Sequence, residues 1–133
     1  MADFTAQARE DMMAWLVNAG SVTRPTVFFI SFHVGDPAGL QSTAAGNESA
    51  LLARVSHDDW VVGASTEGEV ENDGAKETLV AGAGGDETIT YFGVWSLATN
   101  GTFYFGGQLD ASRNISTGDK LSWADGALTA LIS

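Results

Sequence analysis

The sequence predicts a mainly β protein: a jelly-roll-like β-sandwich of about eight short strands behind one N-terminal α-helix. Three observations carry that expectation. From residue 26 onward the apolar residues mostly alternate with period two, in short runs. Gly, Asn and Asp clusters separate those runs at fairly regular spacing. Only the first twenty residues show a period near that of a helix. No internal repeat, linker or change of composition divides the chain, so residues 1–133 read as a single domain with its helix inside 1–20.

The helix is expected over 3–18. Phe4, Ala8, Met12 and Trp15, with Leu16 alongside, form one apolar stripe. Asp3 or Thr5 can cap its start, and Asn18-Ala19-Gly20 supplies a stop. Arg24-Pro25 then launches an extended segment. In Thr26 to Val34, the clearest strand, Phe28, Ile30, Phe32 and Val34 share one face. Val27, Phe29, Ser31 and His33 take the other, which reads as partly covered. Gly35-Asp36-Pro37 ends this strand, and the small polar residues of 38–50 read as a long surface loop.

Short strands follow at Ala53–Ser56 and Trp60–Val62. Residues 67–71 alternate acids with small or apolar residues and suit an exposed edge, where charge discourages stray pairing. Thr78–Ala81 makes another strand, with Gly82–Asp86 as a turn. Thr88–Leu97 and Gly101–Leu109 form a hairpin around Asn100-Gly101. Its second strand places aromatics on both faces, so both require cover from a second sheet, the helix or a neighbouring subunit. Ser112–Ile115, Lys120–Trp123 and Ala127–Ile132 complete the set.

The charge is lopsided, with 17 acidic residues against six basic ones and a net charge of −11. Nucleic-acid binding depends on Lys and Arg neutralising phosphates, so nucleic acid is excluded as a partner. Anionic membrane surfaces are disfavoured on the same ground. No stretch reaches the roughly 18 apolar residues of a membrane helix. Asp3, Glu10 and Asp11 interrupt what a secretory signal would keep apolar. The absence of cysteine removes disulfides and thiolate chemistry. Nine of the acids fall between Asp58 and Glu87 beside the single Lys76, a pattern read as a solvated face.

Candidate chemistry is sparse. His33 with Asp36, and His57 with Asp58 and Asp59, offer imidazole and carboxylate ligands, but no third histidine completes a set. Glu69, Glu71 and Asp73 ahead of Gly74 faintly resemble a calcium loop, yet Val80 stands where its bidentate carboxylate belongs. No nucleophile elbow, dinucleotide fingerprint or phosphate loop occurs. No cofactor and no enzymatic activity are therefore expected. Asn47, Asn100 and Asn114 begin N-x-S/T sequons in expected loops or turns, where Asn is favoured anyway. Trp60, Trp95 and Trp123 read as core aromatics, with sugar stacking as the alternative.

One order of segments stands out. An aromatic strand ending in His33-Val34-Gly35-Asp36-Pro37 is followed by Asn47-Glu48, Ala53-Arg54 and Trp60. Then come Ile89-Thr90-Tyr91-Phe92-Gly93-Val94-Trp95, Phe103-Tyr104-Phe105-Gly106-Gly107-Gln108-Leu109, Ile115–Leu121 and Ala124–Leu128. Over nearly the whole chain this resembles a family of small virion proteins of tailed phages, often labelled tail fibre proteins. The resemblance implies a β-sandwich particle component, plausibly oligomeric. A chain without repeats or heptads is unlike a fibre shaft, so a capsid-surface decoration or turret position is expected, with a tail-fibre, receptor- or glycan-binding adhesin module as alternative and a metal-dependent hydrolase as the third reading. Expected partners are further copies of the chain, as trimer or pentamer, and other virion proteins such as the major capsid protein. The expected place is the particle surface after synthesis in the host cytoplasm. The expected contact residues are Phe4, Met12, Trp15, Leu16, Phe29 and Tyr104.

Overall fold

A computed structural model describes residues 4–17, 25–37, 47–62, 69–79 and 85–131. Helix α1 runs Ala6–Leu16. Nine strands follow among the described residues: β1 Phe29–His33, β2 Val55–Ser56, β3 Trp60–Val62, β4 Glu69–Asn72 and β5 Lys76–Leu79, then β6 Asp86–Trp95, β7 Phe103–Ser116, β8 Lys120–Trp123 and β9 Thr129–Leu131. They form a four-stranded sheet in the order β2-β1-β6-β7, a three-stranded sheet β3-β4-β9 and the pair β5-β8, all antiparallel. The later strands pair as nested ladders: β6 on β7, β5 on β8, β4 on β9. A long hairpin rolled upon itself gives that nesting, which is the jelly-roll-like sandwich expected.

The core lies between the layers. Ile30, Phe32, Phe92 and Val94 of the large sheet meet Val70, Leu121, Trp123 and Ala130 of the smaller ones. Phe32 and Trp123 are 5.2 Å apart between ring centres, and Trp60 stands edge-on to Phe105 at 5.3 Å. Trp95 and Trp123 are thus core residues rather than sugar platforms. The layers approach closely at Gly107. A Cβ there would strike the Thr129 carbonyl oxygen and the Phe92 ring, so no larger residue fits without backbone movement.

Several boundaries differ from expectation. The segments 101–109 and 112–115 are one strand, β7, whose ladder with β6 is broken by a bulge between Ile89 and Tyr91. A bulge keeps a strand continuous while leaving the extra residues unpaired, which in sequence looks like two strands. β4 is not an edge: it lies between β3 and β9. Its alternation is real, with Val70 and Asn72 buried and Glu69 and Glu71 outward, but the partner that makes it central comes from the end of the chain. Val34 is exposed, because β1 ends one residue earlier at His33. The expected helix stop at 18–20, most of the loop 38–50 and the turn at 82–84 lie outside the described residues.

Candidate docking surface

The two faces of β1 have opposite chemistry. Ile30 and Phe32 point into the apolar core, while Ser31 and His33 point to the other side and are equally buried. There the indole Nε1 of Trp95 donates to Ser31 Oγ at 2.8 Å, and that oxygen lies 2.7 Å from His33 Nε2. A Cβ at Gly93 would stand 2.9 Å from Ser31 Oγ and 2.8 Å from the Phe103 ring, so glycine at this position makes room for the cluster. Trp95 stacks on Phe103 on one side, and the Arg54 guanidinium lies 3.8 Å from an indole ring centre of Trp95. Arg54 also holds Glu48 in a bidentate pair at 3.0 Å and donates to the Leu97 and Asn100 carbonyls. Glu48 and Arg54 thereby clasp the 47–54 segment to the β6–β7 loop.

A short Ser–His contact is also the geometry of an activated nucleophile. Here both side chains are at most 1% exposed and the serine oxygen is occupied by an indole, so the pair satisfies buried polar groups. His57 lies on the opposite side, between Trp60 and Trp123, with Nε2 3.1 Å from the Asp59 carbonyl oxygen. The fold therefore separates the two histidines that a metal reading would unite. Among the described residues no group of three or more His, Asp or Glu is placed to hold a metal ion. Next to the calcium-like acids, Asn72 is the working residue. Its amide donates to the Gly74 and Ala124 carbonyls and accepts from the Leu128 amide, tying β4 to the β8–β9 turn. Of the sequon residues, Asn47 and Asn100 adopt positive φ, which explains asparagine there, and Asn114 lies in strand β7 rather than in a turn.

The exposed chemistry sits on α1. Its start is fastened to β7, the outer strand of the large sheet. Phe4 bridges to Phe105 and stacks on it at 4.7 Å. The Thr5 amide donates to the Tyr104 carbonyl at 2.7 Å, and the Thr5 hydroxyl donates to the Phe103 carbonyl at 2.7 Å. The same hydroxyl accepts from the Ala8 amide, so Thr5, rather than Asp3, is the observed N-cap. Phe4 is therefore committed to the protein's own core and presents little surface to a partner. The far end of the helix is largely exposed: Met13, Trp15, Leu16 and Val17 are 68%, 54%, 76% and 69% exposed, and Met12 borders them.

Tyr104 connects this end to the rest of the surface. It meets Phe28 edge-on at 6.1 Å, and its phenol lies near Ser96, beside exposed Leu97. Burial pushes its phenol above the usual tyrosine pKa of 10.0, and the nearby Asp11 carboxylate adds to the rise. Asp11 and Trp15 are one turn apart on α1, so Trp15 shares the helix side that carries Asp11. Trp15 thus lies on the helix side that faces toward Tyr104, while Met12 and Leu16 sit farther round the same helix. Phe29 is elsewhere, half-buried on the face with Ser31 and opposite Trp95. The sequence stripe missed Met13 and Val17; the signal was the unbroken apolar run Met12–Val17, wider than one buried face needs.

A second apolar feature lies farther along β7. A cleft opens where the strand bulges over β8 and the β8–β9 turn. Leu109, Leu121, Trp123 and Leu128 line it, with Asp110 and Arg113 among its polar residues. The indole Nε1 of Trp123 is buried with no acceptor among the described residues.

Comparison with family models gives the biological frame. The model described as Podophage GP4 fiber I protein gp80 matches residues 3–130. The chain belongs to this family. It is accordingly a tailed-phage virion protein, as the order of its aromatic segments implied, and a structural component of the particle. Comparison with curated proteins gives no match.

Proposed function

We propose that this podophage fiber I family member is a non-enzymatic fibre component, a compact β unit held in the particle through the bare end of α1. The family match across residues 3–130 carries the reading, because a fiber description applies to nearly the whole chain rather than to an appended segment. It favours the fibre over the capsid-surface decoration or turret position. The absence of repeats and heptads then points to a joint or tip of the fibre, since neither requires a long shaft. Exposed Met13, Trp15 and Leu16 supply apolar surface for contact with other virion proteins. The acidic exterior keeps free copies soluble until assembly and offers nothing to nucleic acid. The Ser31–His33 pair, which resembles a catalytic dyad among the described residues, is sealed inside the fold, in keeping with a non-enzymatic role.

Gold labelling of intact particles with an antibody against this chain tests the placement. Label confined to fibres is the expected result. Label spread over the capsid shell would establish the decoration position instead, and absence of the chain from purified particles would end the structural reading.

A further inference from the structure

Glycine follows an asparagine or aspartate at Asp73-Gly74, Asn100-Gly101 and Asp125-Gly126. Such pairs can cyclise: the glycine amide nitrogen gives up its proton and attacks the preceding side-chain carbonyl carbon, and glycine has no Cβ to obstruct the approach. The fold engages two of the three glycine amides. Gly74 N–H donates to the Asp125 carboxylate at 2.8 Å, and Gly126 N–H donates to the Asn72 carbonyl at 3.0 Å. Gly101 N–H has no acceptor among the described residues, and the Asn100 carboxamide has no hydrogen bond among them. The other described asparagines are held by their side chains. Asn47 donates to the Asp36 carbonyl, Asn72 is buried and bonded at both ends, and Asn114 accepts from the Thr88 hydroxyl.

Asn100 is exposed in the β6–β7 loop, and a buried cation touches its peptide group. Arg54, with its side chain only 8% exposed, donates from Nη1 to the Asn100 carbonyl oxygen at 2.8 Å. That oxygen belongs to the same peptide group as the Gly101 nitrogen. A cation bonded to it draws charge from the group and stabilises the anion left when the nitrogen loses its proton.

We propose that Asn100-Gly101 is a site of spontaneous covalent modification assisted by Arg54. The Gly101 nitrogen bonds to Cγ of Asn100, the Cγ–Nδ2 bond breaks, and the carboxamide nitrogen leaves as ammonia with the amide proton. Water then opens the resulting succinimide. Opening at Cγ gives aspartate. Opening at the main-chain carbonyl gives isoaspartate, which leads the chain through Cβ and turns the Arg54 acceptor into a carboxylate. Either product places a new negative charge near the guanidinium that Glu48 now holds, so the modification acts on the clasp between the 47–54 segment and the β6–β7 loop.

Incubation of the full-length chain at mildly alkaline pH, followed over time by peptide mass spectrometry and by isoaspartyl methyltransferase labelling, tests the site. Asn100 is expected to convert first, to aspartate and isoaspartate together. Conversion of Asn47, Asn72 or Asn114 at the same rate or sooner would overturn it. Arg54→Gln and Glu48→Gln break the same ion pair, but only Arg54→Gln takes the cation from the Asn100 carbonyl. Arg54→Gln should slow native conversion by roughly tenfold, the worth of one charge-assisted hydrogen bond, while Glu48→Gln keeps the unmodified rate. Equal effects of the two variants, or faster conversion in Arg54→Gln, would overturn the assistance by Arg54. The mapping of the unmodified chain needs no variant, so it decides the site even where Arg54→Gln does not fold.

Discussion

The two ends of α1 follow different rules although one apolar stripe runs through both. At its start, the backbone of residues 4 and 5 joins the outer edge of β7, and Phe4, Thr5 and Ala8 are buried. At its finish, side chains as apolar as Phe4 stand in solvent. The difference teaches that apolar periodicity marks a face that wants cover without saying who supplies it. Backbone hydrogen bonds to β7 decide which half of the stripe belongs to the fold. The other half stays exposed.

Substitutions at the two ends should separate sharply. Phe4→Ala removes a stacked core ring and should cost about 3–5 kcal/mol in denaturant unfolding. A loss near zero would mean that the fastened end is not part of the cooperative core. Thr5→Ala deletes the cap and leaves the buried Phe103 carbonyl without its hydroxyl donor, for an expected loss of about 1–3 kcal/mol.

Tyr104 sharpens the boundary between the ends through pH. Its phenol proton is held more tightly in the folded state than in the unfolded chain, first by burial and then by Asp11. Its contribution is therefore complete below the unfolded tyrosine pKa, and is lost as pH rises through the higher folded value. Unfolding midpoints of the unmodified protein should fall in that alkaline window, and Tyr104→Phe should flatten the decline. An undiminished decline in the variant would place the responsible group elsewhere. Leu16→Ala should change monomer stability least, within about 0.5 kcal/mol, because little of its surface is covered. A larger loss would show that the bare end packs on its own sheet.

Much of this architecture was legible beforehand. Period-two runs located β1, β6 and the first half of β7, and Asn100-Gly101 marked the loop between them through a backbone with positive φ at both residues. The order of aromatic segments identified a tailed-phage virion protein. Of the expected contact residues, Met12, Trp15 and Leu16 are exposed on α1, while Phe4 packs on Phe105 and Phe29 pairs opposite Trp95. The Glu48–Arg54 clasp and the Asn72 junction were invisible. Each joins groups brought together by the fold: Arg54 reaches carbonyls over forty residues away, and Asn72 meets Leu128 across the chain.

Local sequence by itself determined the strand-rich class, the helix, the turn chemistry and the acidic net charge, because these depend on neighbouring residues or on simple sums. Tertiary structure alone decided that β4 is central, that Ser31 and His33 are sealed, and which half of α1 stays bare. Those outcomes depend on which distant strand arrives alongside, and pairing across a long loop leaves no mark in the local pattern.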